Sequence, residues 1–128
     1  MENNTNLTEL QKKKLEEVKR LIQEAEKTRV SDEEEKILLA EIRSGNLNAI
    51  DTLVKGSDFL ILKSSVTHIS KNISIDEILS TGRNIMNNIL HNQTLNKNNN
   101  LYERFIVWHI QQAILRQSIS NDEKINSK

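Results

Sequence analysis

Twice in this chain a serine stands three residues ahead of a glutamate and just before an apolar stripe at helical spacing: Ser31 with Glu34, and Ser74 with Glu77. Such a pair closes the first turn of a helix from both directions, the hydroxyl taking one orphan amide and the carboxylate another. Each box therefore fixes where a helix starts and which way it runs. The rest of the chain agrees with that reading. Prolines are absent and glycines number three, and no segment alternates over the length of a strand. The predicted fold class is all-α, a compact helical bundle.

The stripes divide the chain into helices. A first helix over roughly Thr8 to Lys27 has Val18, Leu21, Ile22 and Ala25 on one side, with Lys12, Lys13 and Glu16 outside. Lys12-Lys13-Lys14 followed by Glu16-Glu17 reads as a solvated face with local ion pairs. From Ser31 a second helix turns Leu38, Leu39 and Ile42 inward and stops at Gly45. Asn46 is expected to cap a short third helix with Leu47, Ile50, Leu53 and Val54 inside, ended by Gly56. Ser57 then opens a fourth with Phe59, Leu62, Val66 and Ile69 in one stripe. The Ser74 box starts a fifth, with Ile75, Ile78, Leu79, Met86, Ile89 and Leu90 inward. Gly82 lies on that inward arc, where a glycine costs about 1 kcal/mol against alanine; close helix packing is the explanation. His91 to Asn100 is an Asn-rich loop, Leu101 to Ile119 a sixth helix. The organisation expected is an N-terminal helix over 1–28, a helical domain over 29–119 and a flexible polar tail over 120–128.

Bulk properties narrow the function classes. A chain of 128 residues holds one domain and a modest core. With no cysteine, neither a disulfide nor a thiolate metal site is possible. The longest apolar run, Phe59 to Leu62, is far too short to cross a membrane, and Met1-Glu2-Asn3-Asn4 lacks a secretory flank, so a cytoplasmic protein is expected. His68, His91 and His109 lack metal-ligand spacing. No nucleophile–base pair, phosphate loop or carboxylate pair stands out, so neither enzymatic activity nor a cofactor is expected. Eighteen basic residues balance eighteen acidic ones. A protein gripping duplex DNA alone is usually basic, so any nucleic-acid partner would need its electrostatic grip from elsewhere.

One feature points to such a partner. Tyr102, Phe105 and Trp108, three of the four aromatic residues, fall within one seven-residue stretch. At about 100° per residue, Ile106, Val107, Ile110, Ala113 and Ile114 share a core-facing arc. Tyr102, Phe105, Trp108, His109, Gln112 and Arg116 share another. A stacking surface with polar tips is what proteins use to hold unstacked bases. Without a further clue, the same cluster would serve as packing against the first helix or as a seam between two copies.

Laid out this way the chain resembles the helical core of bacterial housekeeping-type sigma factors, the sigma-70 family, over about Leu21 to Ile119. Leu21-Ile22-Gln23-Glu24, Glu33-Glu34-Glu35 and Ile42-Arg43-Ser44-Gly45-Asn46 with Ala49 and Leu53 resemble the segment ahead of region two. Ser74-Ile75-Asp76-Glu77-Ile78-Leu79 followed by Gly82 resembles the helix that docks on the polymerase clamp. The run Phe105-Ile106-Val107-Trp108-His109-Ile110-Gln111-Gln112-Ala113-Ile114-Leu115 resembles the family's Tyr-Ala-x-Trp-Trp-Ile-Arg-Gln-Ala-Ile segment, which captures the promoter minus-ten element.

The resemblance implies two sets of contacts. Tyr102, Phe105, Trp108 and His109 would unstack and hold a flipped adenine of the non-template strand, Gln112 would read the upstream edge, and Arg104 and Arg116 would add basic contacts. Glu77, Ile78, Ser80, Thr81, Arg83, Met86 and Asn87 would meet the clamp helices of the largest catalytic subunit of core RNA polymerase. The chain departs from the pattern where the family's Gln/Asn-Glu-Gly-Asn reads Ser80-Thr81-Gly82-Arg83, where His109 replaces the second tryptophan, and where Gln111 replaces an arginine. Asn98, Asn99 and Asn100 stand where basic residues are usual, although Lys97 and Arg104 remain. The resemblance does not extend to the family's later domains, which read the minus-thirty-five element, so the expected activity is that of a truncated sigma-like initiation protein needing a second protein for upstream recognition; a fragment of a longer sigma factor is a lower-ranked reading. The alternative is a sigma-like interaction module that regulates transcription by binding polymerase or another protein without reading DNA.

Overall fold

The computed structural model describes residues 8–69, 71–92 and 102–126, with side chains over 106–125 of the last span. Among these residues every regular element is helical: α1 (Glu9–Glu26), α2 (Asp32–Arg43), α3 (Asn48–Lys55), α4 (Asp58–Ser65), a 3-10 turn (Val66–His68), α5 (Ile75–His91) and α6 (Tyr102–Asn126). Both serine boxes form. Ser31 Oγ accepts from the Glu34 amide at 3.1 Å and Glu34 Oε1 from the Ser31 amide at 3.0 Å. Ser74 and Glu77 repeat this at 3.1 Å in each direction. A third box, Thr8 with Gln11, starts α1 where the apolar stripe predicts its start. Gly45 ends α2 with φ +99°, a backbone conformation that suits a residue without a Cβ.

α4 is the centre of the bundle, packed against α1, α5 and α6. Ile61 and Leu62 are buried, and so are Ser64 and Ser65, whose hydroxyls donate to Leu60 O and Leu62 O at 2.6 and 2.7 Å. α5 crosses α4 closely at Gly82, where an added Cβ would lie 2.5 Å from Ile61 Cγ2. That accounts for a glycine in mid-helix. α6 lies across α4 and α5 and seats Ile106, Ile110 and Ile114 with no exposure. A fully buried isoleucine is worth about 1.5–3 kcal/mol, so these three outweigh any single cap at about 1 kcal/mol in fixing where α6 sits.

Several expectations are corrected. Leu47, read as part of an inward stripe, precedes α3 and is 53% exposed, while Ala49, Ile50 and Leu53 are buried. Asn46 does not cap α3 as its N-cap residue; Leu47 occupies that position, and Asn46 Oδ1 accepts from the Asn48 amide at 3.3 Å. Ser57 does open α4, at its N-cap position, but without a side-chain capping bond: its hydroxyl donates backwards to Leu53 O at 2.6 Å. The fourth helix stops at Ser65 instead of reaching Ile69. Its continuation tightens into the 3-10 turn through β-branched Val66 and Thr67, residues that crowd the preceding helical turn.

Lys14 is no solvated lysine: its Nζ donates to Ile73 O and, at 3.2 Å, to Lys71 O, joining α1 to the approach to α5. Burial holds its ammonium below the ordinary lysine value, against the opposing pull of Glu77. Lys12 and Arg20 keep the local pairs expected, with Glu9 and Glu17. At the other end, the polar segment read as a tail is helical to Asn126. Asn121 Nδ2 ties this extension to Asn72 O at 2.8 Å and to Glu77 Oε1 at 3.3 Å, contacts that no apolar pattern announces. Most of the Asn-rich loop lies outside the described residues.

Candidate nucleic-acid interface

With Ile106, Ile110 and Ile114 committed to the core, the 3.6-residue repeat leaves the opposite side of α6 outward. Trp108 is on that side and 57% exposed. His109 is half-buried beside it, the two rings meeting edge to face with centroids 5.0 Å apart and planes at 88°. Gln112, half-buried, and Arg116, exposed, follow along the helix. The backbones of Tyr102, Arg104 and Phe105 belong to α6, and their side chains lie outside the described residues. An exposed indole, an imidazole edge, an amide and a guanidinium in one row can stack on a base and hydrogen-bond its rim.

Beside this face is a cleft the sequence did not disclose. It encloses about 290 Å³ between the start of α2, the α3–α4 junction and α6, and its walls include Arg29, Phe59, Lys63, Val107 and Gln111. Phe59, assigned to the inward stripe of α4, is half-buried here. Its ring has the Arg29 guanidinium 4.4 Å from the centroid and the Lys63 ammonium at 5.4 Å. Attraction to the ring quadrupole thus gathers two cations from distant parts of the chain. Gln111 donates from Nε2 to Ser64 O at 3.3 Å, so its amide joins α6 to α4. Arg29, the α4 pair Phe59 and Lys63, and the α6 pair Val107 and Gln111 come from three separate segments, so no single helical period displays the cleft.

The residues assigned to polymerase docking divide. Ser80, Arg83 and Asn87 are exposed and Thr81 and Glu77 half-buried. Ile78 and Met86 are fully buried and belong to the core, so they cannot form a docking face; the inward stripe that made them conspicuous is the stripe the bundle consumes. Arg83 does not project freely. It forms a two-pronged pair with Asp58 at the start of α4, Nε to Oδ1 at 3.0 Å and the terminal nitrogen to Oδ2 at 2.6 Å. That hydrogen bonding holds the guanidinium pKa above its ordinary value. Glu77 serves the Ser74 cap and accepts from Asn121. A shallow groove between α5 and α6 brings Thr81 together with Arg116, alongside Asn84, Asn88 and Gln117.

Among the described residues no three His, Cys, Asp or Glu side chains come together as a metal site, and no helix is long and apolar enough to cross a membrane. No family model, no curated protein and no solved structure matches the chain.

Proposed function

We propose that this chain is a sigma-like transcription initiation protein that docks on core RNA polymerase through the outer face of α5 and holds unstacked bases of the promoter minus-ten element on the outer face of α6. The observation that carries the reading is Trp108: α6 is anchored by three buried isoleucines, yet the indole stays 57% exposed with Gln112 and Arg116 behind it. Extruding a base costs a few kcal/mol, and one aromatic stack returns about 1–3 kcal/mol. The face alone therefore roughly offsets the cost of melting, and a chain of zero net charge relies on the polymerase for the remainder. Arg29 and Lys63, gathered at Phe59, add positive charge near the Gln111 edge of α6. In this reading the protein works in the cytoplasm, and a second protein supplies upstream promoter recognition.

The test is retention of a single-stranded non-template oligonucleotide by the protein together with bacterial core polymerase. Wild type is expected to prefer the minus-ten sequence over a scrambled one. Trp108→Ala should lose about tenfold or more in oligonucleotide affinity while capturing polymerase as well as wild type does. Equal retention of both oligonucleotides sinks base recognition.

One observation favours a second reading, the interaction module. Arg83 is satisfied within the chain by Asp58, and Ser80 and Thr81 offer only hydroxyls, a weak match for a charged clamp. Under that reading polymerase or another protein is bound through a different face, and the oligonucleotide is ignored.

A further inference from the structure

The cleft beside α6 has apolar wall from Val30, Leu60 and Val107, and most of its neutral polar groups are committed elsewhere. The Ser57 hydroxyl donates to Leu53 O and the Ser64 hydroxyl to Leu60 O, each at 2.6 Å, while Gln111 gives an amide hydrogen to Ser64 O. What the cleft has left to offer is positive charge. Arg29 and Lys63 are exposed and rest against the Phe59 ring. Neither forms an ion pair with a carboxylate among the described residues. Glu35 is the carboxylate among the described residues of the wall, and it already has a partner. A ring face holds a cation in place without neutralising it, so two uncompensated charges front one void.

We propose that this cleft binds a small organic phosphate, with its head group between Arg29 and Lys63 and its apolar body against Val30, Leu60 and Val107. Charge and size choose the ligand. A phosphomonoester carries about two negative charges at pH 7, which matches the two cations; a carboxylate would leave one of them unmatched. The planar guanidinium takes two phosphate oxygens through its fork, and the ammonium takes a third as a point charge. A volume of about 290 Å³ lies at the lower end of small-molecule sites, about 300–1,000 Å³. That suits a compact molecule better than an element of a partner protein. Arg29 comes from the turn between α1 and α2 and Lys63 from α4, so a bound phosphate ties that turn to the centre of the bundle.

The inference does not rest on base capture at Trp108. It has a consequence there, because a seated phosphate withdraws Arg29 and Lys63 from any strand lying along α6.

The experiment is a titration of the full chain with phenyl phosphate, followed by amide-resolved NMR at constant ionic strength, with phenol and inorganic phosphate as separate probes. Wild type is expected to give saturable shifts at Val30, Lys63 and Gln111. Phenyl phosphate should bind about tenfold or more tightly than either half alone, since head group and body each contribute. Arg29→Gln and Lys63→Gln should each raise the Kd about tenfold, the worth of one hydrogen bond to a charged group. Phe59→Leu, which keeps an apolar wall but removes the ring that holds the cations, should raise it about threefold. Both cations are exposed, and far-UV circular dichroism confirms that each variant is folded. No saturable shift, shifts centred outside the cleft, or a Kd indifferent to both charge removals overturns the proposal. Inorganic phosphate binding as tightly as phenyl phosphate also overturns it, since the apolar wall then takes no part. A single-stranded oligonucleotide that displaces the probe from Trp108→Ala protein as well as from wild type would give the cations to a strand and overturn the small-molecule assignment. Failure of base capture alone leaves each of these outcomes readable.

Discussion

On α5, the side chains best able to grip a partner are turned to the fold itself: Ile78 and Met86 are in the core, Arg83 is paired with Asp58, and Glu77 serves a cap and Asn121. On α6, an inner stripe just as apolar leaves Trp108, Arg116 and Ile119 facing solvent. The two helices share one period and differ in their surroundings. α5 packs against α3, α4 and α6, whereas α6 packs against α4 and α5. A helix with neighbours on more of its circumference has less left for a partner. Resemblance of a helix's sequence to a docking element is therefore weak evidence of docking until the residues outside the core are separated from those within it.

The comparison breaks most sharply at its two extremes. Met86→Ala should cost about 2–5 kcal/mol of stability, since a fully buried side chain leaves a cavity. Trp108→Ala should stay within about 0.5 kcal/mol of wild type. Denaturant midpoints measured side by side decide the matter, and a comparable loss at Trp108 would put the indole in the core. Any loss of polymerase binding in Ile78 or Met86 variants would then report unfolding.

A smaller effect tests why α5 is so enclosed. Gly82→Ala should cost about 1–3 kcal/mol, because the new methyl lies 2.5 Å from Ile61 Cγ2. In an Ile61→Ala background, itself destabilised by the lost side chain, Gly82→Ala should cost less than it does in wild type, the two changes being non-additive across a direct contact. Simple additivity in thermal or chemical unfolding would deny the close crossing.

Ser74→Ala, which removes the cap of α5, should cost about 1 kcal/mol. Half of that interaction comes from Glu77, which also accepts from Asn121, so Ser74→Ala should loosen the end of α6 as well. Hydrogen exchange of the amides over 117–126 reads this. Protection unchanged there would separate the two helix ends.

The smallest effect lies in the turn feeding α5. His68 Nδ1 is buried without a hydrogen-bond partner, and burial, with Lys71 nearby, holds the imidazole below its ordinary value. Between that lowered pKa and the ordinary one of about 6.5 the unfolded chain binds more protons. Stability from this group is thus present above about pH 6.5 and is lost as pH falls through the folded-state pKa. Thermal midpoints should fall on acidification from about pH 7 to about pH 5 by more in wild type than in His68→Asn. Parallel curves would remove His68 as the source.

Local rules were enough for much of the fold. Ser31–Glu34, Ser74–Glu77, Gly45 and the isoleucine stripe of α6 were legible because a cap or a helical period involves residues within a few positions of one another. The outward placement of Trp108 followed from the same period. The departures have different sources: the Ser57 hydroxyl bonds back one turn to Leu53, Leu47 falls just ahead of α3 and stays exposed, and a long-range bond from Asn121 to Asn72 O carries α6 beyond its last apolar turn.

By itself, then, the sequence determined the helical class, the starts of α1, α2, α4 and α5, the stops of α1, α2 and α3, and which side of α6 would be left over, since these depend on hydrogen bonds and periodicity along one chain segment. Tertiary structure alone decided that Arg83 is held by Asp58 across 25 positions, that Lys14 reaches Ile73 O and Lys71 O, and that Arg29 lies over Phe59. Those outcomes depend on which helices become neighbours. That choice is made by burying all the stripes at once, and no stripe read separately contains it.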